Sequence, residues 1–287
     1  MAKGIIIACS NNKGGSGKTC CSVTLAHALA NRDQRVLVCD LDTQCNSTSL
    51  LLPPGNKTKN SLYELFEGET KTGDCIYPST YEMVDVLPNV EEVAAIEFDL
   101  IKEAESNLTL FRDRLRPYAQ EKYDYVFLDC PPNLGFWTMS ALITANLVIS
   151  PTISGSGFSL DGLLRTIKLI QDIQRSVNPG LRFFRLLINA VDRRTTMGKV
   201  TLAQLTDKLG SDLIFSTTIP ASAQFQQAEH LRQTILRHNS RSPAAKAYRS
   251  LAQEVMRPAA GPATGAGPPG STRPPPGRRA MSGMRPL

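Results

Sequence analysis

The chain has 287 residues, 41% of them apolar and 20% charged, which is enough to build a sizeable core and excludes a wholly disordered chain. No run of about eighteen apolar residues occurs, so nothing reads as a bilayer-spanning helix, and the apolar start Ile5-Ile6-Ile7 is too short for a secretory leader. The net charge of +6 is uneven: five arginines and no lysine or acid lie between Arg257 and Leu287, and the region before Leu231 is net acidic. Seven cysteines, without CxxC or a zinc-like Cys/His spacing, read as reduced thiols and argue against a structural metal.

Along the chain, short apolar runs alternate with helical patterns. The first strand is expected at Ile5–Cys9, followed by a glycine-rich loop and a helix over Gly17–Asn31. A second strand follows at Val36–Asp40, then a polar, turn-rich excursion over Leu52–Thr72 with one short helix around Leu62–Phe66. Further strands are expected at Val84–Leu87, Tyr125–Asp129, Leu147–Pro151 and Phe184–Asn189, and further helices at Ser106–Gln120, Leu160–Val177, Lys199–Leu209 and Pro243–Met256. Strands apolar on both faces and separated by helices indicate an α/β fold, a mostly parallel twisted sheet with helices on both faces. This body spans residues 1–256. The segment 257–287, with eight prolines and six glycines, is too poor in buriable surface to fold and is expected to be disordered.

Between the first strand and helix lies Asn12-Lys13-Gly14-Gly15-Ser16-Gly17-Lys18-Thr19. Glycines let successive backbone N–H groups converge on one concavity at a helix N-terminus, an anion nest. Lys18 is placed to reach β/γ-phosphates and the Thr19 hydroxyl to meet Mg²⁺. Asn12 stands where the first glycine of GxxxxGK[ST] belongs, and Lys13 creates KGGxGK[ST] instead. At the second strand's end, Asp40-Leu41-Asp42-Thr43-Gln44-Cys45-Asn46 brings two carboxylates off one strand, and Tyr125-Val126-Phe127-Leu128-Asp129 delivers a third from a buried strand toward a metal. Cys130-Pro131-Pro132 with Gly135 forms a stiff loop suited to sensing a γ-phosphate, with Cys130 best read as a buried thiol.

These motifs resemble the ParA/MinD family of deviant Walker A P-loop ATPases, closest to ParA-type partition ATPases, with similarity running from about Gly4 to Met256. The resemblance implies ATP and Mg²⁺ as cofactors. Lys13, Gly14, Gly15, Ser16, Gly17, Lys18, Thr19 and Cys20 would hold the nucleotide, and Thr19, Asp40 and Asp129 would serve the metal. Lys13, Lys18 and Asp42 would act in catalysis, with Asp42 orienting the attacking water. Thr43 and Cys45 replace the Pro and Gly of the family's DxDPQGN. Asn189, followed by Ala190-Val191-Asp192, resembles the family's NxxD strand end facing adenine, and Pro220 a position near the purine. The Asn–Asp spacing by itself also suits guanine, so the resemblance decides for ATP.

In that family Lys13 would reach the partner's phosphates in an ATP-sandwich homodimer. The implied output is non-specific duplex DNA binding that ends on hydrolysis, in DNA segregation or cargo positioning with a ParB-like or cargo-adaptor activating protein. The arginines that many relatives carry after Pro220 are replaced by Ala221-Ser222-Ala223-Gln224, so Arg232, Arg237, Arg241, Lys246 and Arg249 are the candidates for phosphate contact. The first strand begins too early for a preceding helix-turn-helix domain, so operator reading is not expected. A MinD-like membrane-surface ATPase would need a C-terminal amphipathic helix where this chain has prolines and glycines, so no stable membrane association is expected. A metabolic P-loop ATPase would need a substrate pocket or CxxC that the sequence does not display. The expected location is cytoplasmic, on the nucleoid when ATP is bound.

Overall fold

The computed structural model describes residues 4–68, 70–153, 160–191 and 205–257. Seven strands form one sheet in the order β3-β4-β2-β5-β1-β6-β7, with β1 at Ile5–Cys9, β2 at Val36–Asp40, β3 at Tyr77–Pro78, β4 at Val84–Leu87, β5 at Tyr125–Asp129, β6 at Leu147–Ile153 and β7 at Arg182–Asn189. All neighbours pair in parallel except the short edge strand β3, which runs antiparallel to β4. Strand alternation explains why the central runs are apolar throughout. Ile6, Ala8, Leu37, Cys39, Val126 and Leu128 join a core with Phe66, Phe111, Leu115, Trp137 and Leu142 from helices on one face. The residues between them, Ile7, Val38 and Phe127, are equally buried and belong to the opposite face, where helix α1 (Lys18–Ala30) packs on β1, β2 and β5.

The expected strands and the helices around Leu62–Phe66 (α3, Leu62–Glu67), Ser106–Gln120 (α5, Ala104–Lys122) and Pro243–Met256 are present within a few residues of their expected ends. Of the expected helix at Lys199–Leu209, residues 205–209 are described and helical; the remainder, and the segment 258–287, lie outside the described residues. Among the described residues, five helices were not expected from the sequence: α2 (Asn46–Leu51), α4 (Val93–Lys102), α6 (Phe136–Thr144), Gln224–His230 and Ile235–His238. Helix α6, FWTMSALIT, is buried almost all round and therefore has no polar stripe to betray a helical period.

The C-terminal helix Pro243–Met256 fixes one wall of the site. Its Glu254 accepts the N–H groups of Ser216 (2.8 Å) and Thr217 (3.1 Å) and pairs with Arg185 at 3.4 Å, while the Arg185 guanidinium lies over the Phe184 and Phe215 rings. Downstream, Ile219 donates to Ile188 and Ala221 to Val191, so the strand-like segment ending at Pro220 is zipped onto the end of β7. Charge-assisted bonds to a carboxylate contribute about 1.5–3 kcal/mol each. Glu254→Ala is expected to destabilise the protein by about 2–3 kcal/mol. A lowered urea midpoint, with an unchanged slope, is the readout; a midpoint equal to wild type contradicts this clamp.

Candidate functional site

The phosphate loop leaves β1 pinned to β6. The Asn11 side-chain Nδ2 donates to the Pro151 carbonyl at 2.6 Å, and its Oδ1 accepts the Lys13 N–H at 3.0 Å. Gly15 and Gly17 adopt φ of +68° and +90°, the left-handed region where a β-carbon is strained. At Gly17 a β-carbon would also sit 2.7 Å from the Asn189 amide nitrogen, whereas Gly14 and Gly15 border open space. Lys18 opens α1, is buried, and points its Nζ back at the Lys13 carbonyl, 3.3 Å away. Burial lowers its pKa, against the opposing pull of Asp129, Cys130 and Asp42. Lys13 is exposed, so the two lysines of the loop lie in different surroundings.

Asp40 and Asp129 are register neighbours at the ends of β2 and β5, both fully buried. Asp129 accepts the hydroxyls of Ser47 (2.6 Å), Ser22 (3.0 Å) and Thr19; burial raises its pKa and these hydroxyls oppose the rise. Burial, then the nearby Asp129, pushes the Asp40 carboxyl up to about 7. Asp40 accepts the Thr48 N–H and hydroxyl, both at 2.8 Å, on one oxygen and the Asp42 N–H at 3.2 Å on the other. Asp40 thereby holds the start of α2 and the Asp42 backbone. Asp42 itself lines the cavity, accepts the Gln44 N–H at 3.1 Å, and has its carbonyl held by the Asn89 amide. Cys45, in the family's glycine position, sits at φ +52° and carries that strain into the loop. Ser22, Ser47, Thr48 and Asn89 escaped the sequence reading because single polar residues in apolar surroundings have no motif.

Two cavities meet across the loop. One, of about 390 Å³, is lined by Gly14–Thr19, Asp42, Pro132, Glu229 and Gln233; the other, of about 340 Å³, by Asn189, Pro220, Ser222 and Tyr248. Gly15, Ser16, Gly17, Cys20 and Phe225 border both. The Asn189 amide nitrogen donates to the Ser16 carbonyl at 2.9 Å, and its Oδ1 is buried with no partner among the described residues, as is the Ser16 hydroxyl. The Ser16 carbonyl can only accept, so the amide orientation is fixed and Oδ1 presents an acceptor. Asp192 lies outside the described residues. All seven cysteines are free thiols, Cys130 among the buried ones.

Of the basic candidates, Arg232, Arg237, Arg241 and Lys246 are exposed and Arg249 is half-buried. Arg32, which the sequence reading missed, joins them by donating to the Arg249 carbonyl at 3.3 Å. The Arg237 guanidinium lies over the Tyr81 ring, and Tyr81 Oη accepts the Thr234 N–H. Thr234 caps the helix bearing Arg237 and bonds His27 Nδ1 of α1 at 2.7 Å, tying the basic segment to the phosphate-loop helix.

Comparison with known proteins agrees with this geometry. The family model described as AAA domain matches residues 4–183. The chain is 34% identical over 250 residues to the chromosome-partitioning ATPase Soj of Thermus thermophilus, covering 87% of this chain and 94% of that one. It is 31% identical over 252 residues to the sporulation initiation inhibitor protein Soj of Bacillus subtilis, covering 88% and 98%. Among solved structures, cobyrinic acid a,c-diamide synthase from Mycobacterium smegmatis, with a bound ATP analog and magnesium, superposes with a TM-score of 0.75 at 26% identity, covering 88% and 94%.

The buried carboxylates make the protein's stability depend on pH. Asp40 has a folded pKa of about 7, above an unfolded value of about 3.9. The folded state therefore binds this proton more tightly, and the stabilisation is full below pH ~4 and lost as pH rises through ~7. Asp40→Asn should remove part of the decline in the urea midpoint of the ligand-free protein between those values. A profile identical to wild type contradicts the assignment.

Proposed function

The chain belongs to the ParA/MinD family of P-loop ATPases, and from that premise we propose that it binds ATP with Mg²⁺, closes as a homodimer, holds duplex DNA and lets go on hydrolysis. The observation that carries this reading is the split between its two loop lysines: Lys18 buried, Lys13 exposed. The trough fits the nucleotide, with backbone N–H groups and Lys18 for the phosphates and the unpaired Asn189 Oδ1 for an amino group on the base. Thr19 and Asp129 are hard oxygen donors already in contact, the set that would hold Mg²⁺; the bound ion supplies charge that offsets the β/γ-phosphate oxygens.

In this mechanism Lys18 moves from the Lys13 carbonyl to the phosphates, and Lys13 reaches the partner's nucleotide. Asp42 orients the water that attacks the γ-phosphorus as the bond to the bridging oxygen breaks, leaving ADP and phosphate. Dimerisation doubles the basic surface of Arg32, Arg232, Arg237, Arg241, Lys246 and Arg249, which supports phosphate-dominated DNA binding. A ParB-like or cargo-adaptor protein would stimulate turnover, in the cytoplasm and on the nucleoid. Among the described residues no helix is long and apolar enough to cross a membrane.

Two variants separate the lysine and carboxylate roles. Lys13→Ala should bind ATP yet remain monomeric on sizing with a slowly hydrolysed analogue, and Asp42→Ala should bind ATP and stay closed as a dimer with turnover lost. Wild-type dimerisation and turnover in Lys13→Ala, or unchanged turnover in Asp42→Ala, contradicts those roles.

DNA binding should require ATP, ignore sequence, and weaken with salt by about 0.9 log units per log unit for each phosphate neutralised. Single Arg→Ala changes at Arg232, Arg237 or Arg241 should flatten that slope by about one unit. Truncation before Arg257 separates the folded patch from the basic C-terminal segment. ATP-loaded protein that ignores DNA at low salt, or binding that resides wholly in residues 257–287, overturns the reading.

A further inference from the structure

Helix α4 is apolar on two sides. Inward, Val93 is fully buried, and Ile96 and Leu100 pack against the main core. Outward, Ala94, Phe98 and Ile101 follow one another at i, i+4 and i+7, so they form a stripe on one face. Phe98 is 69% exposed and Ile101 52%, and Leu134 in the nearby loop before α6 is 39% exposed. Exposed apolar side chains grouped on one face mark a contact surface more often than singly scattered ones do. Here the outer stripe meets solvent.

The charge around that stripe decides what can cover it. Residues 91–103 carry Glu91, Glu92, Glu97, Asp99 and Glu103 against Lys102 alone. Lys102 is already paired with Asp99 at 2.7 Å and lies 4.5 Å from the Phe98 ring centroid. An anionic bilayer or a nucleic acid would meet a surface of its own sign. Two copies of α4 packed about a two-fold axis would set like acids against each other. A cationic protein segment has no such conflict.

We propose that the outer face of α4 is the docking site of a basic amphipathic segment of a partner protein, its apolar side chains on Phe98 and Ile101 and its cations on Glu91, Glu92 and Glu103. The site borders the loop that follows Asp129: a β-carbon at Gly135 would lie 3.5 Å from the Glu97 carboxylate. A segment seated on α4 therefore touches the element that the P-loop reading uses to sense the γ-phosphate, although docking itself requires no nucleotide.

The test titrates the full-length protein, without nucleotide, into a fluorescent synthetic amphipathic peptide with a leucine face flanked by arginines. Wild type should bind with an affinity that falls with salt, and the double variant Phe98→Ser, Ile101→Ser should bind about tenfold more weakly or worse. Glu91→Lys with Glu92→Lys should weaken it likewise, and the same peptide with glutamates for arginines should not bind. These positions are solvent-facing, and urea midpoints matching wild type confirm folded variants. Absent binding, equal binding by the variants, or equal binding of the acidic peptide overturns the proposal. So does self-association of wild type that Phe98→Ser abolishes, which would give the face to a second copy.

Discussion

Two carboxylates and one ammonium group are held out of water where three parallel strands end, and the site is built around the cost of that burial. Asp40 and Asp129 sit side by side as register neighbours; burial raises the proton affinity of both, and the Asp129 charge raises that of Asp40 further. Three hydroxyls on Asp129 and three donor contacts on Asp40 offset the penalty. Those same contacts fix the first turn of α2 and the backbone of Asp42. The chemistry and the local fold therefore depend on one another: a change at Asp40 is felt at Asp42 through a single hydrogen bond.

The rest of the fold extends this cluster outward. The Glu254 clamp brings Pro220 to the end of β7, where it lines the cavity beside Asn189. His27, one face along α1 from Lys18, reaches Thr234 and so joins the phosphate side to the segment bearing Arg232 and Arg237. Burial, with Arg237 nearby, lowers the His27 pKa to about 4, so this ring is neutral at physiological pH and the link is not a proton switch there. The basic surface and the nucleotide cavity are thus mechanically continuous through one helix.

The phosphate loop and the central strands were legible because they obey strict spacing: glycines where φ must be positive, apolar runs where both faces are buried. Helices α4 and α6 were not: α6, buried almost all round, lacks the 3.6-residue alternation that marks an amphipathic helix, and α4 sets Glu97, Asp99 and Lys102 between two apolar stripes, which blurs it. Asn189 was legible only through resemblance; that its amide nitrogen is spent on the Ser16 carbonyl, leaving Oδ1 unpaired, is a tertiary fact. Arg32 was missed for the same reason, lying far in sequence from the basic residues it joins. That Asp40 also holds the first turn of α2 was not legible, because a DxD pair says nothing of which carboxylate the next helix will claim.

The central claim is that this trough holds ATP, with Asn189 reading the base. Equilibrium titration of the magnesium complexes of ATP and GTP against the full-length protein tests it most directly. An unpaired buried acceptor favours the amino group of adenine over the carbonyl of guanine by about 1–3 kcal/mol, or roughly tenfold to a hundredfold in affinity. ATP binding tighter than GTP by that margin, shrinking in Asn189→Ala, is the predicted result. Equal affinity for the two nucleotides, or binding of neither, would contradict the account.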